Sequence, residues 1–409
     1  MKRFLAALGL LFGGLLLVSC SSPTRPAAPG PLILISIDGF RWDYLQQHDA
    51  PTLKALAAGG VHATRLTPSF PSKTFPNHYT LVTGLYPQNH GIVANWFYDP
   101  ADNAKFDMSK TEARWWQGGE PVWITAEKQG VRSACFFWPG SESAHEGLRP
   151  TFFKPFDKKL AAAERVDGLL AWLALPPEQR PRFATLYFDI VDTQGHQFGP
   201  LAPETAAAVK EADDAIARLL AGLDRLGLRE SASLVIVSDH GMSEISPEQT
   251  VFLEDLMDLS QVRVEATGPY GGVRPKPGVD VAALVAGIRA KAPPQIKVYR
   301  REDVPARLHY NTGDFIPPVL LFADDHWTIE ERSRWSLAWS RLTKATHGWD
   351  PATPNMGALF IASGPAFQRR VEIPDVENIH LYNLLCAALG LKPAPNDGDQ
   401  RLVRAALRR

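Results

Sequence analysis

The sequence predicts an α/β protein built on a mostly parallel central sheet with helices on its flanks. Three continuous apolar runs with β-branched residues are typical of strands buried on both faces of such a sheet, and they cover residues 32–37, 183–188 and 233–238. Segments with helical periodicity separate these runs along the chain. Hydrophobic residues make up 45% of the 409 residues, which is enough for a large core and excludes a disordered chain.

Further elements are predicted around these three strands. The helical patterns cover residues 50–58, 158–173, 204–226 and 378–388. Two later strands are predicted over residues 319–322 and 357–362. In sheets of this class, ligands bind beyond the carboxyl ends of the strands. We therefore expect the functional residues to follow the strands directly.

The segment 249–341 has an alternation of its own. Its strand patterns cover residues 262–265 and 296–300, and a helical pattern covers residues 279–292. Strands and a helix in one insertion can form a small layer beside the main sheet. We interpret this segment as an inserted cap subdomain.

The balance of charges argues against a polyanionic partner. The chain has 43 Lys plus Arg and 44 Asp plus Glu, which gives a formal net charge of -1. Such a protein has no net positive field to attract duplex DNA or RNA. A small-molecule substrate is therefore expected, and no duplex nucleic acid.

The amino end predicts export. Two positive charges precede an apolar run from Phe4 to Val18, which is too short to span a bilayer comfortably and is typical of a signal peptide. The run ends in Leu-Val-Ser-Cys, which resembles a bacterial lipobox. We therefore expect residues 1–19 to be removed as a lipoprotein signal peptide and Cys20 to be lipidated. A plain signal peptide that is cleaved nearby is the alternative.

The residues after Cys20 predict an attachment without a spanning helix. Residues 20–31 are rich in Ser, Pro, Ala and Gly, which is typical of a flexible tether. The folded body would begin at residue 32 and extend to residue 409. It would be held on a bacterial membrane by the lipid alone, facing the periplasm or the cell exterior.

Two cysteines lie in the body. Cys135 and Cys386 both stand in apolar stretches, which predicts buried free thiols. An oxidising compartment would also permit a disulfide between them. Their spacing does not match a zinc ribbon or a redox pair.

Metal-binding side chains follow each of the three predicted strands. Three carboxylates and three imidazoles are expected at this edge of the sheet, namely Asp38, Asp192, His196, Asp239, His240 and His347. Mixed oxygen and nitrogen ligands suit zinc best, with manganese and iron as competitors. Six ligands are too many for one tetrahedral ion, whereas two ions about 4 Å apart would share them.

The second strand offers two aspartates for this role. Asp189 follows the strand directly, and Asp192 comes three residues later. The spacing of four residues between Asp192 and His196 places both on one compact turn. This spacing favours Asp192 as the ligand over Asp189.

A threonine at a predicted helix start is the candidate nucleophile. Thr74 stands in Lys-Thr-Phe-Pro-Asn-His, directly before a helical stretch. The helix dipole and the free amide hydrogens at this position stabilise negative charge. A hydroxyl there that also touched a metal ion could act as an alkoxide nucleophile at neutral pH. The alternative is that Thr74 is an ordinary N-cap residue.

Four sequence blocks together closely resemble one known family. They are ILISIDGFRWDYL, KTFPNHYTLVTGLYPQNHGIVANWFYDP, YFDIVDTQGHQFGP and SDHGM, in this order along the chain. The resemblance is to the nucleotide pyrophosphatase/phosphodiesterase family, or type I phosphodiesterases, of the alkaline phosphatase superfamily. It implies an alkaline-phosphatase-like fold for residues 32–409 and the bare catalytic domain of a bacterial member.

The resemblance also implies roles for individual residues. Two Zn²⁺ ions per chain are expected, and Thr74 would be the nucleophile. One ion would be held by Asp38, Asp239, His240 and Thr74, and the other by Asp192, His196 and His347. Asn95 matches the family's asparagine that donates to a phosphate oxygen. Phe75 and Tyr187 match the aromatic positions of its nucleobase slot, although either ring could equally be core packing.

The implied activity is hydrolysis of phosphodiester or pyrophosphate bonds of nucleotides through a covalent phosphothreonine, with release of a nucleoside monophosphate. Two successive displacements would retain the configuration at phosphorus. Phosphonates and glycerophosphodiesters are alternative substrates for the same core. A non-catalytic, metal-binding envelope lipoprotein is the alternative from another class, but metal capture alone does not require Thr74 or Asn95.

Overall fold

An eight-stranded sheet forms the centre of the fold in the computed structural model, which describes residues 30–333, 335 and 343–408. From one edge to the other, the strands are Val371–Ile373, Val61–Ala63, Phe360–Ser363, Ser233–Val237, Leu32–Ile37, Phe183–Phe188, Ser133–Phe136 and Phe152–Lys154. Phe360–Ser363 runs antiparallel to both neighbours, and the other neighbours in this sheet pair in parallel. The prediction of a mostly parallel sheet is confirmed.

Helices connect and cover the strands. Within the described residues, the α-helices are Tyr44–Gln47, Pro51–Gly59, Thr74–Thr83, Pro87–His90, Val122–Lys128, Ala162–Leu173, Ile190–Phe198, Pro203–Arg225, Leu253–Leu256, Val281–Lys291, Leu381–Leu389 and Arg401–Ala406. Residues 1–29, which include the predicted signal peptide 1–19, Cys20 and most of the tether 20–31, lie outside the described residues.

The central strand Leu32–Ile37 shows how the sheet separates two hydrophobic layers. Ile33, Ile35 and Ile37 pack on one face with the helices Pro51–Gly59, Ala162–Leu173 and Pro203–Arg225. Leu32 and Leu34 pack on the opposite face with the helices Thr74–Thr83, Val122–Lys128 and Leu381–Leu389. Because both faces are covered, the strand is apolar throughout rather than alternating. This burial explains the continuous run in the sequence.

Several predicted boundaries shift for local reasons. The strand predicted over 357–362 begins only at Phe360, since Ala358 pairs instead with Leu66 outside the sheet. The helix predicted over 158–173 begins at Ala162, where the Glu164 carboxylate accepts a hydrogen bond from the Ala161 amide. The helix predicted over 279–292 is Val281–Lys291, and the Asp280 carboxylate caps its first amides.

The inserted segment forms a second, four-stranded sheet. Its strands, in spatial order, are Val262–Ala266, Tyr270–Pro275, Val319–Ala323 and Ile296–Arg300. The sheet has an apolar core of its own with the helix Val281–Lys291. Residues 334 and 336–341 of the predicted segment 249–341 lie outside the described part of the chain.

An aromatic cluster joins the second sheet to the main body. The ring of Phe70 lies 5.5 Å from that of Tyr270, 4.7 Å from that of Phe322 and 5.1 Å from that of Tyr310. Phe70 precedes the helix Thr74–Thr83, so the inserted sheet packs directly against the segment that carries the candidate nucleophile.

Shorter strand pairs complete the fold. These pairs are Leu66–Thr67 with Val376–Glu377, Trp96–Tyr98 with Lys105–Asp107, Ser243–Glu244 with Ala345–Thr346, and Thr250–Phe252 with Thr328–Glu330. Among the described residues, no helix is both long enough and apolar enough to cross a bilayer. Cys135 and Cys386 are buried free thiols, as predicted, and burial raises the pKa of both.

A buried carboxylate gives a testable prediction about this fold. Asp213 is buried in the helix Pro203–Arg225 and accepts hydrogen bonds from the amides of Thr52 and Leu53 at the start of the helix Pro51–Gly59. Asp213→Ala leaves both amides without this partner and is expected to lower the free energy of unfolding by about 1–3 kcal/mol, measured by urea denaturation. Asp214→Ala, at the exposed neighbouring position, is the control and should change it far less. Equal effects of both substitutions would contradict this account.

Candidate active site

The three predicted carboxylates meet at the carboxyl edge of the central sheet. Asp38 follows the strand Leu32–Ile37 directly, and Asp239 follows the neighbouring strand Ser233–Val237 after one residue. Asp192 lies in the first turn of the helix Ile190–Phe198, directly after the strand on the other side. Because these three strands are adjacent and parallel, their carboxylates are brought to one place.

One group of ligand atoms surrounds His240 Nε2. This nitrogen lies 2.9 Å from Asp239 Oδ2, 3.5 Å from Asp38 Oδ1 and 3.3 Å from Thr74 Oγ1. The other ring nitrogen, Nδ1, donates a hydrogen bond of 2.8 Å to the Gly241 carbonyl oxygen. The lone pair of His240 is therefore on Nε2, where it faces the two carboxylates and the threonine.

A second group surrounds Asp192 Oδ1. This oxygen lies 3.4 Å from His196 Nε2 and 3.6 Å from His347 Nε2. The Nδ1 atoms of both histidines donate to backbone carbonyl oxygens, His196 to Ala345 at 2.7 Å and His347 to Ser72 at 2.8 Å. Metal-binding histidines are commonly held by such outer hydrogen bonds, which fix the ring and its tautomer.

The chemistry of the carboxylates fits a divalent metal. Asp38 Oδ1, Asp192 Oδ1 and Asp239 Oδ2 are buried and accept no hydrogen bond from the described protein atoms. Burying such an oxygen without a partner is unfavourable, and a bound cation would remove that penalty. All three oxygens point to the positions where the histidine lone pairs converge. The side chains present therefore fit a metal site.

The pKa shifts of these residues also fit a metal site. Burial, together with the charges of Asp239 and Asp192, raises the pKa of Asp38 well above its usual range. Burial also opposes ionisation of Asp239, but His240 and His78, when protonated, outweigh it and lower the pKa of Asp239 well below its usual range. Burial and the neighbouring His240 lower the pKa of His347, so its ring is neutral, as a metal ligand must be.

The two groups of ligand atoms lie in direct contact with each other. The rings of His240 and His347 stack at 3.4 Å with an angle of 11° between their planes. Ligand atoms of Asp192, His240 and His347 lie within 4.8 Å of one another, and so do those of Asp38, His78 and Asp239. The division of the ligands into two sets, as implied by the family resemblance, stays a prediction.

His78 belongs to the second of these compact clusters but is already hydrogen-bonded on both nitrogens. Nδ1 donates to the Thr74 carbonyl oxygen at 2.9 Å, and Nε2 accepts from the Ser36 hydroxyl at 2.8 Å. Neither nitrogen has a lone pair left for a metal. The geometry therefore indicates a structural role for His78. His90 is similar, with contacts to the Thr80 hydroxyl and the Ile92 amide.

Asp189, the competitor of Asp192, has a different partner. Its carboxylate forms an ion pair of 2.8 Å with the buried guanidinium of Arg165. Asp192 and His196 lie one helical turn apart and face each other, as their spacing predicted. The geometry therefore favours Asp192 as the ligand.

Thr74 does not act as the N-cap of its helix. The helix Thr74–Thr83 has Lys73 at the N-cap position, and the Lys73 side chain forms no capping hydrogen bond. The Thr74 hydroxyl instead donates to His240 Nε2. It lies at the positive end of a helix dipole beside two buried carboxylates, which is a suitable place for a metal-bound alkoxide. The N-cap alternative is wrong for this residue.

Asn95 lies next to the nucleophile. Its Oδ1 accepts a hydrogen bond of 2.9 Å from the Phe75 amide, which fixes the orientation of the side-chain amide. The Nδ2 group is thereby left to donate elsewhere, as the predicted phosphate contact requires. The Phe75 amide, however, is engaged with Asn95 and does not provide a second donor in this arrangement.

Phe75 and Tyr187 line the same cavity of about 520 Å³. Most of its wall is apolar or aromatic, and its further lining residues include Met108, Trp116, Phe137, Trp138 and Phe156. Rings of this kind provide flat surfaces on which a planar base can stack. The structure therefore places both predicted substrate-binding aromatics at one accessible cavity beside Thr74.

The side chain of Lys73, next to Thr74, is not fully solvated. It is partly buried and lines another cavity, of about 680 Å³, together with Thr267, Thr328, Glu330 and Thr346. Burial lowers the pKa of its ammonium group to about 8. Thr74 thus stands between two residues, Lys73 and Phe75, that line different cavities.

Sequence reasoning missed the groups that hold the ligands. The carbonyl oxygens of Ser72, Gly241 and Ala345 orient three imidazoles, and the Tyr187 hydroxyl donates to Asp38. A backbone carbonyl has no signature in a sequence, so the first three could not have been found. Tyr187 carried a signal, a phenol at the end of a buried strand, but it was interpreted only as a ring for base stacking or core packing.

The chain is similar to one family of known proteins over most of its length. Residues 32–350 match the family described as type I phosphodiesterase/nucleotide pyrophosphatase. Over 380 residues the chain is 40% identical to venom phosphodiesterase CdcPDE from Crotalus durissus collilineatus. The aligned region covers 90% of this chain and 45% of the relative. Over 400 residues it is 36% identical to ectonucleotide pyrophosphatase/phosphodiesterase family member 1 from Homo sapiens. This alignment covers 93% of this chain and 42% of the human protein. The chain spans about half the length of these curated relatives.

Solved structures give the same result. The fold is similar to human ectonucleotide pyrophosphatase/phosphodiesterase 5, with a TM-score of 0.87, 31% identity and coverage of 93% of this chain and 100% of that chain. The values are the same for an inactive threonine-to-alanine variant of the murine protein in complex with AMP. With the family match over residues 32–350, these likenesses confirm the resemblance found in the sequence. The chain belongs to the type I phosphodiesterase/nucleotide pyrophosphatase family of the alkaline phosphatase superfamily.

Proposed function

We propose that this chain is a two-zinc hydrolase that cleaves phosphodiester and pyrophosphate bonds of nucleotides and releases a nucleoside monophosphate. The observation that carries the proposal is the position of the Thr74 hydroxyl, 3.3 Å from His240 Nε2 beside buried carboxylate oxygens without hydrogen-bond partners. Metal capture alone would not need a hydroxyl at the first turn of a helix.

The residues that would hold the ions are those named from the family resemblance. Asp38, Asp239, His240 and Thr74 would hold one, and Asp192, His196 and His347 the other. Zinc, when bound, lowers the pKa of hydroxyl groups and water and stabilises charge on phosphoryl oxygens. The mixed carboxylate and imidazole ligands support zinc as the metal.

Thr74 would act as the nucleophile. Its oxygen forms a bond to phosphorus while the bond to the leaving oxygen breaks, which gives a phosphothreonine. A water molecule then attacks phosphorus, and the Thr74 oxygen leaves and regains its proton. The inactivity of the threonine-to-alanine variant of the murine relative supports this role.

The surrounding residues would bind the substrate. The Asn95 Nδ2 group is available to donate to a phosphoryl oxygen, because its Oδ1 is held by the Phe75 amide. Phe75 and Tyr187 would stack on the base in the aromatic cavity of about 520 Å³. The presence of AMP in the complex of the murine relative supports a nucleotide as the ligand.

We also infer that the protein is exported and held on a membrane by a lipid on Cys20. The inference rests on the signal pattern of residues 1–19 and on the tether 20–31, of which residues 1–29 lie outside the described part of the chain. The names of the relatives, a venom enzyme and an ectonucleotide enzyme, support export.

The first prediction concerns the nucleophile. Thr74→Ala should reduce turnover of thymidine 5′-monophosphate p-nitrophenyl ester at least about a thousandfold, because the attacking oxygen is removed. Release of p-nitrophenol and the zinc content of the same samples are the measurements. Thr83→Ala, at the far end of the same helix, is the control, since in the described part of the chain the Thr83 hydroxyl bonds to the Tyr79 carbonyl and the Leu85 amide. Turnover by Thr74→Ala at the wild-type rate would remove Thr74 from the mechanism.

A second prediction separates stability from metal binding. Asp38→Asn removes a buried carboxyl group whose ionisation burial, Asp239 and Asp192 all disfavour. Without metal, this variant should therefore unfold at a temperature higher than the wild type by on the order of 2–5 °C. With zinc, the wild type should gain more stability than the variant, because the variant has lost a ligand.

Thermal unfolding of both proteins, with chelator and with added zinc, provides the measurement. The account is wrong if Asp38→Asn melts at or below the wild-type temperature in chelator and gains as much stability from zinc. Asp43→Asn is a suitable control, since Asp43 pairs with Arg41 away from the ligand atoms.

A third prediction concerns the aromatic cavity. Phe75→Ala should raise KM for the nucleotide ester about tenfold and leave KM for a small aryl diester nearly unchanged, because only the nucleotide has a base to stack. The backbone amide that holds Asn95 is retained in this variant. Parallel increases of KM for both substrates would show that Phe75 does not bind the base.

A further inference from the structure

The hydroxyl of Tyr187 makes a contact that is not required of a residue that only lines a cavity. Tyr187 is next to last in the strand Phe183–Phe188 and is paired with Ser36 on the neighbouring strand. Its hydroxyl donates a hydrogen bond of 2.7 Å to Asp38 Oδ2, two residues beyond Ser36. The tyrosine thus reaches along the parallel strands to the side chain that begins the candidate metal site.

This bond divides the two oxygens of Asp38 between different partners. Oδ2 is taken by Tyr187, whereas Oδ1 accepts no hydrogen bond from the described protein atoms and lies 3.5 Å from His240 Nε2. The terminal torsion of an aspartate is broad, so its carboxylate is poorly fixed by its own rotamer preference. A donor on one oxygen therefore decides which oxygen is presented to the metal.

The ring of Tyr187 is itself held in place. It lies edge to face against His78, with 5.2 Å between the ring centroids, and against Phe156, with 5.9 Å. Tyr187 is also largely buried, with 8% of its surface exposed. Since the ring cannot move freely, the hydroxyl is presented to Asp38 in a fixed position.

Comparison with Phe75 shows that stacking alone does not explain a tyrosine. Phe75 lines the same cavity and has no hydroxyl. A phenol hydroxyl that is buried without a partner is unfavourable, so a residue that only supplied a flat ring would be better without one. The hydroxyl has a partner here because Asp38 is within reach.

We propose that Tyr187 is a positioning residue for the metal site, whose hydroxyl orients Asp38 so that Oδ1 faces His240 Nε2, while its ring forms part of the substrate cavity. The inference rests on the proposed function, since it assumes a divalent cation at Asp38. The Tyr187 side chain would thereby contribute to both substrate binding and metal binding.

Tyr187→Phe tests this proposal, because the variant keeps the ring and removes only the hydroxyl. Loss of a hydrogen bond behind a ligand commonly lowers metal affinity 10- to 100-fold, so we expect zinc affinity to fall by roughly tenfold or more. Zinc affinity is measured by competition with a chromophoric chelator, and kcat and KM with the nucleotide p-nitrophenyl ester at saturating zinc. KM should stay within about twofold of the wild type, because the stacking surface is intact.

Tyr310→Phe is the matched control. Tyr310 is also buried, and its hydroxyl donates to the Val93 carbonyl oxygen at 2.9 Å, away from the ligand atoms. It should retain the wild-type zinc affinity. Wild-type affinity in Tyr187→Phe, or an equal loss in both variants, would overturn the inference. A wild-type protein that binds no zinc would instead refute the proposed function, so the two failures are distinguishable.

Discussion

The repulsion between three carboxylates, each with one buried oxygen, is the constraint on which the rest of the site depends. Asp38, Asp192 and Asp239 follow adjacent parallel strands, so the topology of the sheet brings their charges together. Each has one buried oxygen that accepts no hydrogen bond from the described protein atoms. A fold with such a cluster is stable only if cations neutralise it or if some carboxylates are protonated. The arrangement therefore requires positive charge. A bound cation would supply it, which explains why lone pairs from several histidines converge on the carboxylate oxygens.

The surrounding protein fixes these ligands from outside. Backbone carbonyl oxygens orient the rings of His196, His240 and His347, and such bonds change little when side chains elsewhere move. The Ser72 carbonyl oxygen links the His347 loop to the residues just before Thr74, so ligand and nucleophile share one support. A site that is held this firmly does not need to reorganise during the reaction, and this preorganisation is the main source of electrostatic catalysis.

Much of the fold followed from the sequence because parallel strands buried on both faces are continuously apolar and end at polar residues. The three central strands and the carboxylates that follow them carried that signal, whereas Thr74 was recognised from its place before a helical stretch. The strands Val61–Ala63 and Val371–Ile373, which are neighbours at one end of the sheet, were missed because three residues are too few to show a period. The helix Ile190–Phe198 was read only as a turn, since its polar ligand face masks the apolar pattern. The partial burial of Lys73 depends on packing between distant segments, which no local pattern records.

The central claim is that two cations lie at this edge of the sheet and that the Thr74 oxygen binds one of them. The most direct test is a crystal structure of the zinc-loaded protein with anomalous scattering data recorded at the zinc edge. The account predicts two peaks, one of them among Asp38, Asp239 and His240 at about 2.0–2.2 Å from Thr74 Oγ1. A single peak, no peak, or a Thr74 oxygen remote from both ions would contradict it.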